Sequence, residues 1–464
     1  MLKINRGSDF YRPLITLAIP LVLQQVINNS LGLIDTLMVG ALGENELAAV
    51  TLGNNVLFAP MLMIFGIQSG MSILISQYWG RRDKKAINRI LGLGLMTSGL
   101  LATIVVIAVM TEPRFFMSLM TPDEAIINHG AQYIAVVAPG FLLNALSMIY
   151  ISAQRSMENA RIGLTVLIIA TLTNTFLNWV FIYGNLGFQS MGVRGAAFAM
   201  LFARLVEFTI VLVYALRSTQ FPLKLKLLFR PGKVMFGDFV RYAAPVIVNE
   251  MFWGFGFMLY PIIVGNMSTA ASSVSAYSIA MSIDRILSAA FFGTGTAIAV
   301  LIGKRLGEGA EGDDAYNYAK DLLKIVTAIG ICFGVLMALL STFLFKPFLF
   351  PLFSNISGET INTAWLLLLI GSLCMPFRAF NFTVIIGVLR GGGDVNAGTV
   401  IDVCFLYIIG LPIAFICGLV LDMGVYMVFG AMLADETAKS IACMWRYRKR
   451  KWIRNVTRVT TDNL

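Results

Sequence analysis

Long apolar runs without charge constrain this chain more than any other feature. Residues 91–110 and 325–345 contain no Asp, Glu, Lys or Arg. A helix needs about 20 mainly apolar residues to cross the hydrocarbon core of a bilayer. Uncharged runs of this length also lack the alternation that a transmembrane β-barrel strand requires. The sequence therefore predicts an all-α polytopic membrane protein.

Segments of this kind follow one another along all 464 residues. Charged residues make up 13% of the chain, against about 25% in soluble domains, so a soluble surface is excluded. The first segment is too long for a cleaved signal peptide and contains Asp35, so we expect it to stay in the protein. We predict twelve transmembrane helices, at 13–40, 47–76, 91–111, 131–153, 162–184, 194–216, 239–265, 272–302, 321–345, 361–387, 398–421 and 424–445.

Basic residues give the orientation. Of the 35 Lys and Arg residues, we place three on the side opposite the N-terminus (Arg114, Arg194 and Lys346) and three within spans (Arg204, Arg285 and Arg378). Because cytoplasmic loops carry the excess of Lys and Arg, we predict a multi-pass protein of the cell (inner) membrane with both termini cytoplasmic. The basic run 446–451 is then a lipid-headgroup anchor, and the net charge of +10 indicates no nucleic-acid partner.

The two halves of the chain repeat each other. Ala18-Ile19-Pro20 matches Ala243-Ala244-Pro245, and Met191-Gly192-Val193 matches Met423-Gly424-Val425. We therefore predict two pseudo-symmetric six-helix bundles. Parallel repeats of this kind place a site at their interface and move by rocking, as in carriers. The predicted domains are an N-terminal lobe at 1–216, a cytoplasmic linker at 217–238, a C-terminal lobe at 239–445 and a basic cytoplasmic tail at 446–464.

Polar residues inside the first and fifth spans form the first candidate site. A carboxylate at mid-bilayer is costly and tends to be functional or paired. Asp35 is such a residue, and Asn174 and Asn178 share one helix face because they lie four positions apart. An Asp with two amides can hold a proton or a sodium ion, since hard cations prefer oxygen ligands. The alternative is a polar cluster that joins helices.

The seventh span supplies the second candidate site. Glu250 precedes several aromatic residues, among them Tyr260. An acid amid aromatic rings can attract an organic cation through charge and cation–π contact. The repeat counterpart of Glu250 is Gln25, and Arg285 is a further candidate to line the cavity. A hydrogen-bonded structural acid is the alternative for Glu250.

The other membrane charges are predicted to satisfy each other. We expect Arg204 to pair with Glu207, and Arg378 with Asp402 across helices. A further group, near the cytoplasmic end of the last span, is expected at the membrane interface: Asp435, Glu436 and Lys439.

Motifs for catalysis are missing from the sequence. There is no G-x-x-x-x-G-K-[S/T] loop and no H-E-x-x-H, and the chain has one His, His129. The five Cys residues show no C-x-x-C spacing and are expected to be buried thiols. We predict no enzyme activity, no cofactor, and no metal apart from a possible sodium ion at Asp35 or Glu250.

Several motifs, taken in order, resemble the multidrug and toxic compound extrusion (MATE) family, bacterial type. The resemblance runs from about Leu17 to about Tyr447, and it rests on these segments: Ile19-Pro20 with Asp35, Ser76-Gln77-Tyr78-Trp79-Gly80, Gly192-Val193-Arg194-Gly195-Ala196-Ala197 and Leu389-Arg390-Gly391-Gly392-Gly393-Asp394. It implies a monomeric antiporter that exports cationic, often aromatic compounds in exchange for protons or sodium ions. Asp35 with Asn174 and Asn178 would form an N-lobe cation site, and Glu250 would be the C-lobe acid.

Two positions depart from the family pattern. Ala379 stands where the sodium-coupled branch has an Asp, and Met200 stands where a Thr is common. The main rival is a lipid-linked oligosaccharide flippase of the same superfamily, which would need a cavity rich in Arg. The loop Gly80-Arg81-Arg82-Asp83-Lys84-Lys85 lacks the spacing of a major-facilitator carrier.

Overall fold

The fold is known from a computed structural model that describes residues 7–268, 270–349 and 357–458. These residues form helices and no β-strand. In chain order the α-helices are α1 (Ser8–Gly40), α2 (Glu44–Gly80), α3 (Lys84–Thr111), α4 (Pro113–Ser118), α5 (Glu124–Ser156), α6 (Arg161–Tyr183), α7 (Gly192–Arg217), α8 (Leu225–Leu228), α9 (Lys233–Gly265), α10 (Ala270–Gly307), α11 (Gly312–Leu340), α12 (Gly358–Phe382), α13 (Val395–Phe405), α14 (Leu411–Phe415) and α15 (Val425–Arg448).

Wider π-helical turns extend some of these helices. They follow α11 at Ser341–Leu349 and α12 at Thr383–Arg390, and they flank α14 at Leu406–Gly410 and Ile416–Val420. Such turns accommodate extra residues inside a helix and are frequent at functional sites. The segment after α12 ends at Arg390, which enters the candidate site described below.

Eleven helical spans within the described residues are long and apolar enough to cross a membrane. Only helices satisfy every backbone group without water, which explains why these runs are helical. The predicted twelfth span corresponds to α15, which is 24 residues long but carries Asp435, Glu436 and Lys439 near its middle. On α3, Leu100, Ile104 and Ile107 lie on one face and are 65%, 57% and 58% exposed, as expected of a lipid-facing surface.

Several helices begin earlier than their apolar runs predict. The third span was predicted from residue 91, whereas α3 begins at Lys84. Asp83 caps it by accepting a hydrogen bond from the Ala86 amide at 3.0 Å, and a carboxylate at this position also complements the helix dipole. The polar first turns of these helices therefore belong to the same rigid elements as the spans.

By contacts, the described chain divides into two compact units. One, the N-terminal unit, comprises Val26–Ile247 with Arg458, and the other, the C-terminal unit, comprises the described parts of Met1–Gln25 and Val248–Thr457. The divisions fall inside α1 and α9. They differ from the predicted lobes 1–216 and 239–445 because the first half of each of these helices groups with the other half of the chain.

The N-terminal unit is organised around α5, which packs against α2, α3 and α7. α7 packs closely on α6 at the Gly-Ala-Ala motif, where a Cβ on Gly195 would lie 2.6 Å from the Phe181 carbonyl carbon. The predicted linker 217–238 is fastened to α3, since Asn88 Oδ1 accepts a hydrogen bond from the Lys224 amide at 3.0 Å. The linker is therefore an ordered part of this unit.

The C-terminal unit is organised around α12, which packs against α10, α11 and α15. Small residues permit the close approach of α11, as is common between membrane helices. A Cβ on Gly334 would lie 2.6 Å from the Ser372 carbonyl oxygen. The Cys residues are less uniform than predicted: Cys374 and Cys443 are buried, whereas Cys332 is exposed.

Candidate functional site

Asp35 on α1 contacts the polar face of α6. Asn178 Nδ2 donates to Asp35 Oδ1 at 2.9 Å and to Asn174 Oδ1 at 3.2 Å. Asn174 and Asn178 are 4% and 2% exposed, and their spacing of four residues places both amides on one side of the helix. The structure therefore brings together the three residues predicted to hold the coupling ion or proton.

Oxygen atoms dominate this N-terminal cluster. Within the described residues Asp35 has no ion-pair partner, and Asn178 Oδ1 has no hydrogen-bond donor. The basic residue nearby, Arg204, is bound to Glu207 at 2.7 Å, which confirms the predicted pair. Asn144 donates a second hydrogen bond to Glu207 at 3.3 Å. Arg204 is therefore already paired, and the negative charge of Asp35 is open to a proton or a small cation.

Met200 occupies the position where the family resemblance leads one to expect a Thr. It packs against an apolar cluster that includes Val39 and Ala197. Met200 therefore offers a thioether where the resemblance leads one to expect a hydroxyl oxygen, and the hydrogen-bonded oxygens of this cluster include those of Asp35 and Asn174.

A cavity of about 170 Å³ lies within the C-terminal unit. One wall is aromatic: Trp253 stacks on Phe257 with ring centroids 5.3 Å apart, and Phe257 meets Tyr260 edge-on at 6.4 Å. Tyr260 is 1% exposed. The structure therefore places Tyr260 and Glu250, two of the predicted substrate-site residues, in one cavity.

Glu250 in this cavity is bound to a basic residue. Arg390 donates from one terminal nitrogen to Glu250 Oε1 at 2.7 Å. The Arg390 side chain is 3% exposed and that of Glu250 is 20% exposed. Arg390 belongs to the Leu389–Asp394 motif that the sequence singled out, but the sequence did not predict this pairing. Glu250 is thus a neutralised acid rather than an isolated one.

The predicted pair between Arg378 and Asp402 is wrong. Arg378 instead contacts both carboxylate oxygens of Asp284 at 2.8 Å. Asp284 is 1% exposed, and the guanidinium group of Arg378 compensates its buried negative charge. Asp402 contacts Lys439 at 3.3 Å and accepts a hydrogen bond from Asn249 at 3.2 Å.

The acids of α15, predicted at the membrane interface, lie in the same cavity. Lys439 Nζ is 3.3 Å from Asp402, 3.5 Å from Asp435 and 3.5 Å from Glu436. Asp435 and Lys439 are 4% and 3% exposed. Asn381 donates to Glu436 Oε2 at 2.7 Å. The interfacial prediction is therefore wrong, and these residues form a buried cluster around one ammonium group.

The remaining predicted residues lie outside the cavity lining. Gln25 is half-buried on α1, and Arg285 is exposed on α10. Ala379, which departs from the family pattern, is fully buried. It packs against Gly330 of α11, where an added Cβ would lie 2.6 Å from the Cβ of Ala379. Asn381 rather than residue 379 points a polar group into the cavity.

The sequence did contain a signal for the residues that were missed. Asp435, Glu436 and Lys439 stand at spacings of three and four in a predicted span, and such spacing places the Lys beside both acids on one helix. Their distance from the last residue of α15, Arg448, also argues against an interfacial position.

The glycine-rich part of the Leu389–Asp394 motif has a structural role. Gly392 lies against the backbone carbonyl of Trp452, where a side chain has no room. Asp394 contacts Arg446 at 2.6 Å and Arg454 at 3.1 Å, and Trp452 is fully buried. The motif therefore holds the segment after α15 against the protein, so residues 446–457 are not a free tail.

Comparisons with known proteins agree with this architecture. A family model described as MatE matches residues 20–180 and 245–416. An uncharacterized transporter, YisQ, from Bacillus subtilis (strain 168) is 26% identical over 450 residues, covering 97% of both chains.

Solved structures share the fold. A MOP-superfamily transporter from Pyrococcus furiosus Vc1 (DSM3638), described as having a binding pocket of reverse polarity, matches with a TM-score of 0.84 at 20% identity and covers 96% of each chain. An outward-facing multidrug resistance MATE family transporter of the MOP superfamily matches with the same TM-score of 0.84 at 20% identity, covering 97% of each chain.

Proposed function

The chain belongs to the MatE family of multi-pass membrane transporters, which use ion gradients and no cofactor, and on this premise we propose that it exports cationic, often aromatic, organic compounds in exchange for protons or sodium ions. It is a transporter rather than an enzyme.

The observation that carries the proposal is the charge of the C-terminal cavity. Its lining includes four carboxylates, from Glu250, Asp402, Asp435 and Glu436, beside the aromatic rings of Trp253, Phe257 and Tyr260. An organic cation gains from the net negative charge and from cation–π contact with the rings. A volume of about 170 Å³ is below the ~300–1,000 Å³ of typical ligand pockets. The cavity in this state therefore suits a small cation, and we propose that it widens during alternating access to admit a larger aromatic cation such as tetraphenylphosphonium.

The polarity of the cavity also argues against the flippase alternative. A pyrophosphate-bearing substrate needs Arg or Lys side chains that are free to bind anionic oxygens. Here Arg390 is bound to Glu250 and Arg378 to Asp284, while Lys439 faces three carboxylates. The bases are thus engaged by acids, and an anion entering the cavity meets uncompensated negative charge.

Asp35 is the coupling residue in this proposal. Its carboxylate lies beside Asn178 in an oxygen-rich cluster without an ion-pair partner among the described residues. A proton or sodium ion that enters from outside would neutralise Asp35, and this change would alter the packing of α1 and lower the affinity for the organic cation. Because the coupling is reciprocal, binding of the organic cation would in turn favour release of the ion.

The proposed setting follows the basic residues of the loops. The protein would lie in the cell (inner) membrane with both termini cytoplasmic, and it would work as a monomer by alternating access of two six-helix lobes. Its partners would be small organic cations and the lipid bilayer.

A pair of isosteric ions tests the substrate class. Tetraphenylphosphonium and tetraphenylborate have the same shape and opposite charge, and their binding to the purified protein is measured by quenching of tryptophan fluorescence. The proposal predicts saturable binding of the phosphonium and at least ten-fold weaker binding of the borate. Equal or tighter binding of the borate contradicts it, and the variant Trp253→Phe shows whether the quenching arises in the cavity.

A further inference from the structure

Asp435 is the acid of the cavity that the protein stabilises least. It is 4% exposed, and its Oδ2 lies 3.5 Å from Lys439 Nζ. Its Oδ1 is buried and has no hydrogen-bond donor among the described residues. Asn249 lines the same cavity, is 1% exposed, and its Oδ1 likewise lacks a donor in the described part of the chain. Two buried acceptor atoms in one cavity thus lack a hydrogen from any residue that the structure describes.

The balance of charge in the cavity leads to the same conclusion. Two acids have their own bases, since Glu250 pairs with Arg390 and Asp284 with Arg378. The other three carboxylates share the single ammonium of Lys439. Buried charges without partners are strongly unfavourable, and inside a membrane they tend to be paired. The cluster therefore requires additional positive charge when no organic cation is bound.

Hydrogen bonding shows which carboxylate takes this charge. Asp402 accepts hydrogen bonds from Asn249 at 3.2 Å and from Lys439 at 3.3 Å. Glu436 accepts one from Asn381 at 2.7 Å. Among the described residues, the partner of Asp435 is Lys439, at the longer distance of 3.5 Å. Hydrogen bonds to an ionised carboxylate favour that form, so Asp402 and Glu436 are held as anions more strongly than Asp435 is.

The geometry favours a proton over a metal ion. Within the described residues, no group of three or more His, Cys, Asp or Glu side chains is arranged to hold a metal. The ammonium of Lys439 already occupies the centre of the three carboxylates and would repel a second cation at that point. A proton needs only one oxygen atom, and Asp435 Oδ1 is available for it.

We propose that Asp435 is a second proton-carrying residue, which is protonated in the substrate-free cavity and loses its proton when an organic cation binds. This inference rests on the proposed function and extends it to the C-terminal unit. On binding, the O–H bond of Asp435 breaks, the proton passes to water, and the carboxylate formed pairs with the bound cation. Lys439 acts as a positioning residue that holds the three carboxylates together.

Other titratable groups face this cavity and must be separated from Asp435 in any test. Those in the lining are Glu250 and Tyr260 of α9, Cys374 and Arg378 of α12, Arg390 of the π-helical segment, Asp402 of α13, and Glu436 and Lys439 of α15. Behind the lining, Asp284 pairs with Arg378, while Tyr277 and Cys443 interact with Tyr260 and Lys439.

Infrared difference spectroscopy of the full-length protein in detergent detects the protonated carboxyl group directly. Addition of tetraphenylphosphonium should remove a protonated-carboxyl band and release a proton to the medium. The variant Asp35→Asn, in which Asp35 can no longer carry a proton, should retain a band change. The double variant Asp35→Asn/Asp435→Asn should lose it, and Asp35→Asn/Asp402→Asn should keep it. A band change that persists in Asp35→Asn/Asp435→Asn overturns the inference, as does cation binding to Asp35→Asn without any loss of the band.

A second measurement keeps the inference separate from the proposed function. In Asp35→Asn without any organic cation, a protonated-carboxyl band should disappear as the pH is raised, and the added change Asp435→Asn should abolish it. If the wild type binds no organic cation, the proposed substrate class fails, while this titration still tests Asp435. Thermal melting of each variant, with Asp435→Glu as the conservative replacement, identifies any that fail to fold.

Discussion

Glu250 Oε1 and Arg390 form an ion pair of 2.7 Å although they are 140 residues apart in the chain. The pair ties α9 to the π-helical segment after α12. It also changes the role expected of Glu250, because an acid bound to a buried Arg contributes little free negative charge. The negative charge available to a substrate comes instead from the cluster around Lys439.

Loss of Glu250 should destabilise the protein more than loss of an exposed acid. Glu250→Gln leaves Arg390 buried without its carboxylate, which costs about 3–5 kcal/mol. The measurement is thermal unfolding in detergent. The matched control is Glu124→Gln, because Glu124 and Arg114 are 73% and 60% exposed and such surface pairs contribute about 0–1 kcal/mol. The double variant Glu250→Gln/Arg390→Met should recover stability, and a wild-type melting temperature for the single variant contradicts the account.

Removal of the aromatic wall should weaken binding of aromatic cations. Trp253→Leu and Phe257→Leu each remove one ring of a stacked pair 5.3 Å apart. Cation–π contacts contribute about 0.5–2 kcal/mol, so the dissociation constant for tetraphenylphosphonium should rise about 2- to 30-fold. Isothermal titration measures it. Trp179→Leu is the control, since Trp179 is 44% exposed and lies on α6. Equal affinity in the wall variants and the control would place the substrate elsewhere.

A side chain at Gly392 should release the segment after α15. A Cβ there collides with the carbonyl of Trp452, so Gly392→Ala should displace Trp452 and loosen the backbone on both sides of it. Limited trypsin digestion then cuts within residues 450–454 several times faster than in the wild type. Gly430→Ala serves as the control because nothing lies within 4 Å of its Cβ position. If both variants are cut at the wild-type rate, close packing at Gly392 does not hold this segment in place.

Loss of the Asn178 amide should impair coupling while leaving the cavity intact. Asn178→Leu removes the hydrogen bond to Asp35 at 2.9 Å and an oxygen of the proposed ion site. We expect gradient-driven efflux to fall at least ten-fold with unchanged binding of tetraphenylphosphonium. Thr173→Val is the control, because it also replaces a polar side chain by an apolar one but lies on another side of α6 from Asn178. A parallel loss of binding would assign Asn178 to the substrate site instead.

Some of these features could be predicted from the sequence because they depend on local spacing. Apolar length gave the spans, and the spacing of Asn174 and Asn178 placed both amides on one face of α6. Their contact with Asp35 came from the family resemblance. Partners distant in the chain could not be predicted in this way. Arg378 was assigned to Asp402, yet it binds Asp284, 94 residues away. The cluster on α15 was assigned to the interface because charges near the end of a span usually lie there.

The central claim is that Asp35 couples an ion gradient to export, and efflux of ethidium from proteoliposomes tests it most directly. A proton gradient and a sodium gradient are imposed separately on wild-type protein and on Asp35→Asn, with insertion and tetraphenylphosphonium binding checked for both. We predict that at least one gradient drives efflux by the wild type and that neither drives it in Asp35→Asn, although the variant still binds the phosphonium. Efflux by Asp35→Asn at the wild-type rate under the same gradient would contradict the account.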